Sequence, residues 1–133
     1  MKNFDSKEFF QRLQLATIQK NLYIVYKYSK DLNDILKVLQ QAHLIGGYTK
    51  NHPKNPTFVK ITLEYDIKGD SVLKKITAVS SIRQRIIINN KQMKRFKHDY
   101  PYVVALIRTR IGILSIKDCE TYRIGGEFLA YIN

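Results

Sequence analysis

The feature that most constrains this chain is a change in hydrophobic period along it. Phe9, Phe10, Leu13 and Ala16, and later Leu32, Ile35, Leu36 and Leu39, recur at helical spacing. From Phe58 the period becomes two: Val59, Ile61, Leu63 and Tyr65 alternate with Lys60, Thr62 and Glu64, which predicts a strand with one buried face. Tyr102 to Ile107 is a continuous apolar run of six, suited to a strand buried on both sides. A chain that mixes these patterns belongs to neither an all-helical nor an all-β class.

Local signals divide the pattern into elements. Asp5 with Glu8 three residues on is a capping-box pair, and Phe4 and Phe9 are placed to staple the entry to the first helix. Leu22 to Tyr28 is β-branched and aromatic and reads as a strand. Ser29 is a plausible N-cap for the second helix, which closes near Gly46-Gly47. Tyr48 to Thr57, with Pro53 and Pro56, reads as a loop. Asp66 to Asp70 has the composition of a hairpin turn, followed by a strand over Val72 to Val79. Arg85 to Ile88 is a short strand, and Gly112 interrupts the chain before Ile113-Leu114. Ser115 or Asp118 could start a short helix through Arg123, ended by Gly125-Gly126 and followed by a last strand to Ile132. The fold class is α+β with two small lobes. Residues 1–72 form helix, strand, helix and hairpin, and residues 73–133 form a mostly β lobe with one short helix.

Charge narrows the partner. The 133 residues carry 23 Lys and Arg against 11 Asp and Glu, a formal charge of +12. Between Lys74 and Arg110 there are ten basic residues and one acid, Asp99, so this stretch alone supplies +9. A solvated face normally mixes both signs, so polyanion binding is the stronger reading of this one. A membrane-binding segment would place its Lys and Arg on an amphipathic helix, and a helix-reading DNA binder on a long helix. Here the basic residues fall on strands and turns among Tyr, Thr, Ser and Gly, and Lys91 to Lys97 is too short to act alone. That distribution fits folded RNA, recognised by shape, phosphates and 2′-hydroxyls.

Other chemistry finds little purchase. No apolar run approaches a membrane span. Met1-Lys2-Asn3-Phe4-Asp5 has the character of neither a signal nor a transit peptide. His43, His52 and His98 lack metal-ligand spacing, and one cysteine, Cys119, makes no cysteine-based zinc site and no internal disulfide. Cys119 reads as a small apolar residue of the short helix, with a nucleophile as the rival reading. Gly125-Gly126-Glu127 lacks the lysine and spaced glycines of a phosphate loop. No cofactor or small-molecule substrate is expected.

The C-terminal quarter resembles one family closely. Ala105-Leu-Ile-Arg-Thr-Arg-Ile-Gly-Ile-Leu-Ser115, a short helix, then Gly125-Gly126-Glu127-Phe-Leu-Ala-Tyr131-Ile is similar to the signature of the small-subunit ribosomal protein S-eight family, which reads Ser-Thr-Ser-x-Gly, helix, Gly-Gly-Glu and an apolar strand. Upstream, Ser29-Lys30 and the helix behind it match the family's Ser-Lys helix, and Ser80 to Arg85 stands where the family has Ser-Arg-Pro-Gly-x-Arg. The resemblance implies a primary binder of the small-subunit ribosomal RNA central domain, acting in subunit assembly beside other small-subunit proteins and without catalysis. Some members resemble free-standing translational regulators, and that is the alternative.

By position, the resemblance implies RNA-binding roles for Ser29, Lys30, Ser80, Arg85, Thr109, Gly112, Ser115, Gly125, Gly126 and Glu127, and the charge of the basic stretch adds Arg83, Lys94, Arg108 and Arg110. Thr hydroxyls both donate and accept toward bases and 2′-hydroxyls, and Gly lets backbone approach closely. Glu127, repelled by phosphate, would accept from backbone or base amino groups. The rival role for Gly125-Gly126 is a helix C-cap. Two departures stand out. Arg108 and Arg110 replace the family's serines, trading hydroxyl contacts for charge, and Ile82-Arg83 replaces its Pro-Gly. Ile, Lys, Tyr and Asn, which use A/T-rich codons, make up 50 of the 133 residues. With the basicity, this suggests an organelle-encoded protein of the mitochondrial matrix and its ribosome, with plastid or bacterial cytoplasm as alternatives.

Overall fold

Asp5 opens α1 (Ser6–Ile18), its carboxylate accepting from the Lys7 and Glu8 amides, and the Phe4 and Phe9 rings meet at 6.0 Å as a staple should. The protein is seen here as a computed structural model that describes residues 4–81 and 83–133. Met1 to Asn3 of the leader reading, and Ile82 of the Ile82-Arg83 turn, lie outside the described residues.

After β1 (Tyr23–Lys27), α2 (Lys30–Gln41) starts at Ser29, whose hydroxyl accepts from the Leu32 amide at 3.1 Å. Its apolar stripe, Leu32, Ile35, Leu36 and Leu39, is fully buried. β2 (Gly47–Lys50) and β3 (Phe58–Thr62) then complete a three-stranded antiparallel sheet in the order β1-β3-β2. The loop expected from Tyr48 therefore begins only after Lys50. Of β2, only Tyr48 packs on the core, so the strand has no alternation to read.

The Asp66 turn forms as predicted. Its carboxylate accepts from the Lys68 and Asp70 amides at 2.9 Å, and Gly69 sits at φ +87°. The strand beyond it does not complete a hairpin. Tyr65 and Ser71 make one bridge, and the chain then leaves the first sheet. It is strand only as β4 (Ile76–Ala78), drawn away by burial of Leu73 and by the Gln14 side chain accepting from the Ile76 amide at 2.6 Å.

The second sheet contains β4, β5 (Ile87–Ile88), β6 (Val104–Thr109), β7 (Gly112–Ser115) and β8 (Gly126–Ile132). β8 lies between β6 on one edge and β4 and β5 in succession on the other, and β7 pairs with the far edge of β6. Every pairing is antiparallel. α4 (Ile116–Tyr122) is capped by Ser115, which accepts from the Asp118 amide at 3.3 Å. The α+β class and the two lobes stand, with a second correction beside the missing hairpin. Among the described residues the second lobe has two helices, because Asn90–Asp99 forms α3 and gathers Lys91, Lys94, Arg95 and Lys97 on a helix rather than on strands and loops. A reciprocal capping box starts it, Asn89 and Gln92 each accepting from the other's amide at 2.9 Å.

β6 is buried on both faces, as its apolar run predicted. Leu106 joins a large cluster with α1, α2 and β3, whereas Ala105 and Ile107 join a smaller one with Met93, Ile116, Cys119 and Phe128. The large cluster includes residues from both sides of position 72, so the two sheets share one core through β6 and β8.

Candidate nucleic-acid interface

Nine of the ten basic residues between Lys74 and Arg110 are exposed, Arg108 alone being half-buried. Among the described residues only two of the ten meet a carboxylate: Lys97 with Glu120 at 3.0 Å and Arg108 with Asp31 at 3.4 Å. The remaining charge has no ion-pair partner among the described residues, which gives this stretch a positive field.

The fold brings six of the expected site residues to one groove of about 470 Å³ between the helix starts and the second sheet. Ser29 and Lys30 enter from the start of α2, Ser80 and Arg85 from the segment between β4 and β5, Arg108 from β6 and Glu127 from β8. They meet because Arg108 and Glu127 are paired across β6 and β8, and because α2 is held to the β6–β7 hairpin. Two carboxylates make that tie. Asp34 accepts from the Ile113 amide at 3.3 Å, and Asp31 takes the Arg108 guanidinium. Arg108 is therefore committed to α2 on one side, while its Nε is buried with no acceptor among the described residues.

Several of the expected residues hold the scaffold. Ser80 is buried, donating to the Phe128 carbonyl at 2.6 Å and accepting from the Ile86 amide at 2.9 Å. Thr109 closes the β6–β7 turn, donating to the Gly112 carbonyl at 2.7 Å and accepting from the Ile111 amide at 3.2 Å. Gly112 sits at φ +127°, and a Cβ there would come within 2.9 Å of the Asp34 carboxylate. Ser29 and Ser115 are helix caps. Arg83 is exposed on the segment before β5, outside the groove.

Gly125 and Gly126 do not cap α4. The left-handed cap residue is Arg123, at φ +54°. The two glycines are needed for a different reason, since a Cβ on Gly125 would meet the Ile88 carbonyl oxygen at 2.7 Å and one on Gly126 would overlap the Arg108 carbonyl. Beside them, Arg110 and Gly125 line a concavity with Arg123, and Lys94 lines its neighbour with Asn90 and Arg123. Lys91 and Arg95, counted in the basic stretch but not among the expected site residues, and Arg123 are exposed as well. The signal available for the first two was the Asn89…Gln92 capping pair, which would have placed them on one helix.

Cys119 offers no nucleophile. It is fully buried, and burial, reinforced by Asp118, pushes its thiol up to about 11, so the reactive thiolate is suppressed at neutral pH. Among the described residues, no three His, Cys, Asp or Glu side chains cluster as metal ligands would, and no helix is long and apolar enough to cross a membrane.

Comparison with known proteins gives the family. The family described as Ribosomal protein S8 matches residues 7–133. The chain is 30% identical over 105 residues to a small ribosomal subunit protein uS8 of Nautilia profundicola, covering 79% of each chain. It is 26% identical over 121 residues to the uS8 of Borrelia hermsii, covering 91% of this chain and 90% of that one. With the match spanning both sheets and the whole basic segment, the chain belongs to the ribosomal protein S8 family, whose members are structural parts of the ribosome rather than enzymes.

Proposed function

We propose that this protein is a structural constituent of the small ribosomal subunit that binds the central domain of its ribosomal RNA and supports subunit assembly. The observation that carries the reading is the run of exposed basic residues between Lys74 and Arg110, of which only two of the ten meet a carboxylate among the described residues. That charge supplies the phosphate contacts that dominate affinity for nucleic acid. Ser29, Lys30, Ser80, Arg83, Arg85, Lys94, Arg108, Thr109, Arg110, Gly112, Ser115, Gly125, Gly126 and Glu127 form the RNA-facing set. Lys30, Arg83, Arg85, Lys94 and Arg110 act as exposed phosphate contacts, while the Thr109 turn and the Gly125-Gly126 approach present backbone to the RNA. Residues 1–72 serve as the lobe that buttresses this face, and residues 73–133 as the lobe that carries it. Neighbouring small-subunit proteins complete the surroundings.

The A/T-codon bias supports placement in a mitochondrial ribosome, ahead of a plastid one. The relatives named above are bacterial and lend that placement no support. Gradient sedimentation of cell and organelle lysates at moderate salt tests both statements. The protein should travel with the small subunit, and the fraction that holds it identifies the compartment. Recovery only in the light fractions would overturn the ribosomal reading and favour a free regulator of messenger RNA.

A further inference from the structure

Arg123 holds a backbone conformation that its side chain disfavours. At φ +54° and ψ +45° it is the left-handed C-cap of α4, a place suited to Gly or Asn because a Cβ crowds the following carbonyl there. The side chain is exposed and meets no carboxylate among the described residues. Two concavities meet at it. One, of about 340 Å³, is lined by Arg110, Arg123, Ile124 and Gly125, and the other, of about 330 Å³, by Asn90, Lys94, Glu120 and Arg123. Glu120 is the acid present, and Lys97 already engages it at 3.0 Å. Three cations around one junction repel one another, an arrangement that an anion between them turns from unfavourable to favourable.

We propose that Arg123, flanked by Arg110 and Lys94, holds one RNA phosphodiester. The inference rests on the RNA-binding reading above and adds Arg123, which the expected residue set does not contain, to Lys94 and Arg110, which it does. The phosphate fits because it supplies the negative charge that the three cations lack.

Arg123→Gly separates a binding role from a structural one. Glycine suits the left-handed cap at least as well as arginine, so the thermal midpoint should hold or rise. Affinity for a central-domain ribosomal RNA fragment should nevertheless fall about three- to tenfold, with the slope of log affinity against log salt reduced by about one. Unchanged affinity and slope in Arg123→Gly, with the wild type binding normally, would overturn this inference and leave the RNA-binding reading intact. A wild type that does not bind the fragment would overturn that reading itself, and the subsite with it.

Discussion

Gly126→Ala should be among the most damaging single-methyl additions to this protein, for a reason set by one strand pair. A Cβ on Gly126 would overlap the carbonyl oxygen of Arg108 and lie 2.9 Å from its carbonyl carbon and 3.1 Å from Ile107 Cγ2. The obstacle is mainly backbone, so no side-chain rotation relieves it. β6 and β8 must instead move apart beside the Arg108–Glu127 and Ile107–Phe128 pairings, next to the irregularity at Leu106 and Ile107. Overpacking of this kind costs about 2 kcal/mol, and a weakened ladder hydrogen bond about 1 kcal/mol more. The sum, about 3 kcal/mol, is a large fraction of the stability of a small protein. Urea denaturation followed by far-UV circular dichroism would read it as a midpoint shift of about 2 M at a slope of ~1.5 kcal/mol/M. Gly125→Ala is the control. Its Cβ meets Ile88 of β5, a two-residue edge strand able to give way, and the expected cost is about 1 kcal/mol. A Gly126→Ala midpoint within ~0.3 M of wild type, or a larger loss from Gly125→Ala, would refute the argument that backbone approach rather than helix capping requires these glycines.

Ser80→Ala should destabilise by about 2–3 kcal/mol in the same assay, because it strands the Phe128 carbonyl and the Ile86 amide, both partners of the buried hydroxyl. Cys119 makes stability depend on pH in the alkaline range. Below the ordinary thiol value of 9.0 both states hold the proton and nothing is lost. From 9.0 to about 11 the unfolded chain releases it while the folded one keeps it, so stability declines by about 3 kcal/mol and then levels off. The decline should be shallower in Cys119→Ala, and parallel stability–pH curves for the two proteins would exclude the effect. Thr109→Ala should weaken specific RNA binding by ~1–2 kcal/mol through a loosened turn, with Thr109→Ser close to wild type. Lys94→Ala should chiefly lower the salt slope, by about one or less; if both variants lost only non-specific affinity in filter binding, the site assignment would be wrong.

Local chemistry was legible in the sequence because it acts over a few residues. The caps at Asp5, Ser29 and Ser115, the Asp66 turn and the stripe of α2 all form where the residues place them. Two-sided burial of β6 was legible too, since a run with no polar position has no face to give to water. α3 was not. Met93 is its one fully buried side chain and Phe96 packs half-buried beside it, so the apolar face of α3 is too short and too interrupted by Lys and Arg to stand out as a stripe.

By itself, then, the sequence determined the α+β class, the family and the sign and address of the charge, because each depends on residue type and short spacing. Tertiary structure alone decided what stands next to what. It bound Arg108 to Asp31, closed the Thr109 turn against Gly112, and set Arg123 between Arg110 and Lys94. It also turned Gly125-Gly126 from an expected helix cap into the place where two backbones touch. Those outcomes depend on atoms distant in the chain but a few ångströms apart in space, and such distances exist only once the sheets have paired.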